Sequence, residues 1–228
     1  MATGAALTGL PSRLRQEEHR GWWFLLTAGL LCLVGGGVLL LAQIAYVAGG
    51  QNVGSIPGER VASPPQTGLD VVGASRPAVL SPAPVRLRLP RLHVDAPVLP
   101  VSVGSDGLLG VPVNPRQLGW WRASARPGSA SGSVVIDGHV DSAALGLGAL
   151  FRLRDARPGD EVVLENAVGE STGYTVVARR SYAKTALPVA QVFAAEVGPR
   201  LVLLTCGGAF DQATHHYADN IVVYAVPR

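Results

Sequence analysis

Two hydrophobic patterns divide the chain. The first is one unbroken apolar run over residues 22–47, WWFLLTAGLLCLVGGGVLLLAQIAYV, with no charged side chain between Arg20 and Glu59. At 1.5 Å of rise per residue, about 20 apolar residues cross a hydrocarbon core of roughly 30 Å. The run exceeds that length and predicts one membrane-spanning helix. Arg13, Arg15 and Arg20 precede it, whereas no basic residue follows until Arg60. The excess of positive charge predicts that residues 1–21 stay in the cytoplasm and that everything after the span faces outward. Trp22 and Trp23 fall where an interfacial aromatic belt is expected. A cleaved signal peptide has a shorter apolar region of about 7–15 residues, so a retained anchor is the expectation.

The second pattern begins at residue 85 and consists of short runs rich in β-branched residues or alternating in polarity. They cover residues 85–89, 97–103, 108–113, 133–137, 161–165, 174–178, 201–205 and 221–226, mostly separated by turn formers. Eight strands with Gly and Pro punctuation predict a mainly β fold closed into a barrel or packed as a sandwich, because closure removes unpaired edges. Helix is expected only in short pieces, at 145–152 and 189–194. Between the two patterns, residues 48–84 are dominated by Gly, Pro, Ser and Val with little periodicity, and predict a tether with no core of its own. The expected organisation is a cytoplasmic stretch (1–21), an anchor (22–47), a linker (48–84) and an outer domain (85–228).

Composition narrows the function classes. With 48% hydrophobic and 15% charged residues, the 228-residue chain is too apolar to be disordered, and its length suits one domain plus an appendage. The formal charge is only +3 and eighteen of the nineteen basic residues are Arg scattered along the sequence, so no nucleic-acid footprint is expected. No zinc-type cysteine spacing occurs, and neither a metal nor an organic cofactor is expected.

Only two cysteines are present, Cys32 inside the apolar run and Cys206 at the end of a predicted strand. A bilayer-embedded thiol and an outer one cannot pair. A lone exported Cys206 is an inert buried hydrophobe, an intermolecular bridge or a nucleophile. Its surroundings favour the nucleophile: the apolar run LVLLTC carries the sulfur to a strand end, and Gly207-Gly208 leave the approach open. Cysteine chemistry also needs a base that can return a proton to a leaving amine near neutral pH, which points to His. Of five histidines, His139 is the best placed, at a strand-to-loop corner in VVIDGHVDS.

The combination of an amino-terminal anchor, the GWW…PG…GSVVIDGHVDS segment, a strand ending in LLTC and a final strand NIVVYA resembles the sortases, the cysteine transpeptidases of Gram-positive cell envelopes. The resemblance covers residues 85–228. Within the family it is strongest to the actinobacterial class E and F type, through GHVDS followed by LFRLRDARPGDEV and TCGGAFDQATHHYADN. It implies a closed eight-stranded β-barrel of the sortase type. It also implies a membrane-anchored enzyme with an extracellular catalytic domain.

The resemblance assigns roles residue by residue. His139 becomes the catalytic histidine, Cys206 the nucleophile, and Thr205 the residue that precedes it. The family places an Arg at the start of the last strand to hold the oxyanion. Here that place holds Asn220, or Asp219 or Ala218 if the register shifts by one or two. Arg179 and Arg180 are the nearest candidates to supply the missing cation, with Arg200 more distant. Asp141 either orients the imidazole or caps a turn. The implied substrates are secreted proteins with LPxTG-like sorting signals, and the implied acceptor is an amine of a peptidoglycan precursor or a pilin lysine. The missing Arg leaves a sortase-like binding module without turnover as a rival expectation, and a cysteine peptidase that passes the acyl group to water as another.

Overall fold

The computed structural model describes residues 52–57 and 81–228, which fall in a single unit spanning Gly49–Arg228. The expected cytoplasmic stretch and membrane span lie outside the described residues. Among the described residues no helix is long and apolar enough to cross a membrane.

Eleven strands occur among the described residues. They are β1 (Val53–Gly54), β2 (Pro84–Leu89), β3 (Val94–Val101), β4 (Leu118–Trp121), β5 (Ser133–Asp137), β6 (Asp141–Ser142), β7 (Gly146–Leu147), β8 (Glu161–Asn166), β9 (Ser171–Ala183), β10 (Arg200–Asp211) and β11 (His216–Pro227). In the main sheet the order is β1-β9-β11-β10-β5-β4-β3-β2-β8, and an additional β8–β9 pairing returns the sheet to its start. Eight strands therefore close on themselves, with β1 added outside at the free edge of β9. The closed eight-stranded barrel expected from the sequence is what forms. Most neighbours run antiparallel, but β5 lies parallel to β10 and β3 parallel to β4.

Side-chain alternation sorts the apolar residues into two layers. The barrel interior is filled from all eight strands, by residues such as Leu87, Val98, Trp120, Ile136, Leu164, Val176, Leu203 and Val223. A second cluster lies on the outer face of β5, β9, β10 and β11, where Val135, Ala178, Val202, Val222 and Tyr224 pack under Val192 of the short helix α1 (Val189–Val192) and under Ile56. Two buried faces explain why LVLL in β10 reads as a continuous apolar run rather than an alternating one.

Four expectations are corrected. Residues 108–113 form no strand, only a single bridge between Leu109 and Val103. Residues 145–152 are not helical: Gly146 sits at φ +78° in the β6–β7 hairpin, and a Cβ at Gly148 would lie 2.1 Å from the carbonyl oxygen of His139. β4 is a strand that the sequence did not announce. Part of the expected tether belongs to the fold, because Val53–Gly54 pairs with Arg179 and Ala178 of β9 and Ile56 is buried.

Candidate active site

The site is built where β5 ends beside the middle of its longer parallel neighbour β10. Leu204 pairs with Asp137, and the N–H of Gly138 donates to the carbonyl of Leu204 at 3.1 Å, which carries the pairing one residue past the strand. Beyond it, the buried hydroxyl of Thr205 donates to the carbonyl of Gly138 at 2.7 Å. These two bonds tie the loop that carries His139 to the strand that carries Cys206. A glycine is needed at the joint, since a Cβ at 138 would lie 2.6 Å from a methyl of Leu118 and press on Leu150.

Alternation along β10 puts Val202, Leu204 and Cys206 on the outer face and Thr205 on the inner one. Directly across β11, Asn220 pairs with Cys206, and Tyr182 of β9 pairs with Asn220. Past Cys206 the ladder shifts register between Gly207 and Phe210, with Gly208 at φ +76°. A side chain at 207 would strike Ile221, and one at 208 would strike Asp219. The glycine pair is thus a bulge that re-aims the strand beside the thiol.

Cys206, His139, Asn220, Thr205 and Asp137 all line one cleft of about 580 Å3. Its walls are the loop bearing Leu108, Leu109 and Val111 on one side and Lys184, Leu187, Val189 and Phe193 on the other. Trp121 stands in the wall, edge-on to Phe193 with ring centroids 5.3 Å apart. Its neighbour Trp120 points the other way, into the barrel core, with Nε1 donating to the carbonyl of Ala125. Cys206 and His139 are both half-buried, so an apolar cleft admits a ligand to them without flooding them.

The structure thus brings three of the expected residues, Cys206, His139 and Asn220, into one cleft, with Thr205 behind them. It does not bring the others. Asp141 accepts a hydrogen bond from the hydroxyl of Tyr217, which joins the β6–β7 hairpin to β11. Arg179 is buried, and its guanidinium donates to the carbonyl of Ala156 at 2.7 Å. Arg180 donates to the carbonyl of Val53 at 2.7 Å. Arg200 is held in the wall by Ser133 and Gln191 and stacks over the ring of Tyr224. None of the three lines the cleft. Of the alternatives to Asn220, Asp219 accepts from Ser181 on the opposite face of β11, and Ala218 offers no polar group.

Sequence reasoning missed two ionisable residues of the cleft. Lys184 is the one lysine or arginine that lines it among the described residues, just past the Ala183–Asp219 pair. It is also the only lysine in the chain, a signal that was available. Asp137 is 4% exposed, and burial pushes its carboxyl up to about 7. No pattern in the sequence distinguishes it from a surface acid.

Comparison with known proteins places this geometry. Residues 87–228 match the family described as the sortase domain. Among solved structures, sortase A from Corynebacterium diphtheriae is similar at 20% identity and a TM-score of 0.49, covering 64% of this chain and 61% of that one. Sortase C-1 from Actinomyces oris is similar at 17% identity and a TM-score of 0.49, over 63% of this chain and 72% of that one. Sortase C from Clostridium perfringens SM101 shares 12% identity at a TM-score of 0.46, over 63% and 68%. The chain therefore spans about 61% of the length of the Corynebacterium protein. No curated protein matches it. Because the family match runs from residue 87, within β2, to residue 228, with His139 and Cys206 inside it, the chain belongs to the sortase family.

Proposed function

We propose that this chain is a membrane-anchored cysteine transpeptidase of the class E and F type, acting on LPxTG-like sorting signals of secreted proteins. The observation that carries the reading is the shared cleft: Cys206 within β10 and His139 just past the end of its parallel neighbour β5, far apart in sequence, line one apolar groove. A thiol and an imidazole in such a groove are the two groups that acyl transfer from an amide requires.

In the first step the Cys206 thiolate adds to the scissile carbonyl, and the carbon–nitrogen bond breaks as His139 gives its proton to the departing amine. A thioester remains on Cys206. An acceptor amine, from a peptidoglycan precursor or a pilin lysine, then loses a proton to His139 and adds to the thioester. The sulfur leaves as thiolate. Neither a metal nor an organic cofactor enters these steps. The amide of Asn220 donates to the oxyanion, a reading supported by its pairing directly across from Cys206, and Lys184 supplies the positive charge, since no arginine lines the cleft among the described residues. Losing an oxyanion donor typically costs about 10²–10³ in rate, so this pair decides whether turnover is fast. Anchorage by residues 22–47 would hold the outer domain at the membrane surface. There a secreted substrate and a lipid-linked acceptor meet at raised effective concentration.

The test is mass spectrometry of the chain incubated with a labelled LPxTG peptide. An adduct is expected on Cys206 and none on the Cys206→Ala variant; transfer that survives this substitution refutes the assignment. That no arginine lines the cleft among the described residues favours one second reading, a sortase-like barrel that binds sorting signals without turnover. Rapid alkylation of Cys206 by iodoacetamide, faster than that of a free cysteine peptide, excludes it. Adding an amine acceptor separates transfer from hydrolysis.

A further inference from the structure

Asp137 is an ionisable residue in the cleft to which none of the steps above gives a task. It lies on the outer face of β5, paired with Leu204, and Cys206 is two residues farther along the same face, about 7 Å at strand rise. The carboxyl is almost fully buried, and its Oδ1 has no hydrogen-bond partner. Leaving a buried acceptor unsatisfied is costly, and native proteins rarely do so without a reason.

The neighbouring strand is shaped around this oxygen. Gly119 of β4 pairs with Asp137, and a Cβ there would lie 2.4 Å from Oδ1 and 3.0 Å from the methyls of Val101. Only glycine leaves the carboxyl its place. Around it the cleft is apolar, through Leu109, Trp121, Phe193 and Leu204. An orphaned acceptor in an apolar groove beside a nucleophile is the arrangement that selects a ligand carrying a donor.

We propose that Asp137 is a specificity-determining residue, whose carboxyl at the floor of the cleft accepts a hydrogen bond from a hydroxyl or amide N–H of the substrate peptide. This rests on the reading of the cleft as an acyl-transfer site. A neutral donor fits better than an ammonium or guanidinium, because a cation would lose its hydration in the apolar groove. The groups that face the carboxyl from the packed strands are uncharged: Val101 on β3, Gly119 on β4 and Leu204 on β10. The titratable groups of the same cleft are His139, Cys206 and Lys184.

A double-mutant cycle between enzyme and peptide tests it. The probes are an LPATG peptide and analogues that each lack one donor, with Val in place of Thr or an N-methyl group on one backbone amide. Binding is measured by calorimetry to the Cys206→Ala chain, alone and combined with Asp137→Leu or Asp137→Asn. One donor deletion is expected to weaken binding about 10- to 100-fold when Asp137 is present, and less than about 2-fold with Asp137→Leu. Asp137→Asn, nearly isosteric and still carrying an acceptor, is expected to restore discrimination and guards against a folding artefact. If the wild-type chain forms the thioester but the Cys206→Ala chain tolerates every donor deletion, or loses equally in all three backgrounds, the proposal alone is overturned. If the Cys206→Ala chain binds none of the peptides and the wild-type chain forms no thioester, it falls together with the reading beneath it.

Discussion

At the scale of single residues, a carboxyl buried at position 137 makes stability depend on pH. Unfolded, it titrates near 3.8; folded, burial raises it to about 7. Between those values the folded chain holds a proton that the unfolded chain has released. The contribution of this group is therefore greatest at or below about pH 4, and it is lost as pH rises to about 7. Each pH unit in that window corresponds to about 1.4 kcal/mol, so the loss is on the order of a few kcal/mol. Asparagine has no such window. Asp137→Asn is expected to melt close to the wild-type temperature at pH 4 and several degrees above it at pH 8. Thermal denaturation at the two pH values checks this, and a Tm difference that does not change with pH sinks it. That a cleft retains a group with this cost agrees with a task for it in substrate selection.

Among elements, the pair of parallel strands β5 and β10 sets the geometry of the chemistry, and Thr205 is its fastening. Its hydroxyl is committed to the Gly138 carbonyl, so its influence on turnover passes through that carbonyl and the loop carrying His139. Thr205→Val keeps the shape but leaves that carbonyl unpaired, at a cost of about 1–3 kcal/mol. The expected kinetic result is a fall in kcat with KM little changed, and recovery in Thr205→Ser; KM rising instead would mean that Thr205 shapes the binding groove. Elements also show what was legible beforehand. Ser133–Asp137 was delimited from sequence because its apolar run ends at Asp-Gly, and His139 and Cys206 were identified because few residue types can do this chemistry. β10 and β11 extend beyond the expected strands because their outer halves are polar and form a bulged ribbon. β4 was missed because Leu-Gly-Trp-Trp has no alternation and its glycine lowers strand propensity. That glycine is there for the carboxyl of another strand, a reason no local pattern contains. Asp137 was overlooked on the same grounds: an acid ending a strand reads as surface, and only the barrel closing around it makes it the floor of a cleft.

For the molecule as a whole, the site leans on a segment that precedes the matched family region. β1 pairs with β9 at Val53–Arg179 and Gly54–Ala178, Asn52 accepts from the N–H of Ser181, and Arg180 donates to the carbonyl of Val53. These contacts cap the part of β9 that β8 leaves unpaired, an edge otherwise open to association. They also seat Ile56, 4% exposed, in the same outer cluster whose other members, Tyr182, Leu187, Phe193 and Leu204, back the cleft. Gly54, at φ +74° with no room for a Cβ against the carbonyl of Val177, fixes the angle of entry. The strap is thus a brace under the groove, and its loss should be felt in stability first and in the groove second. Ile56→Ala is expected to cost about 2–5 kcal/mol, as large-to-small changes in packed clusters do. A chain beginning at residue 81 is expected to melt lower than one beginning at residue 52 and to label Cys206 at an altered rate. Denaturant unfolding of the three chains, read beside iodoacetamide kinetics, checks both effects. Equal midpoints for the chains starting at 52 and 81 would mean that the barrel stands alone and that β1 only rests on it.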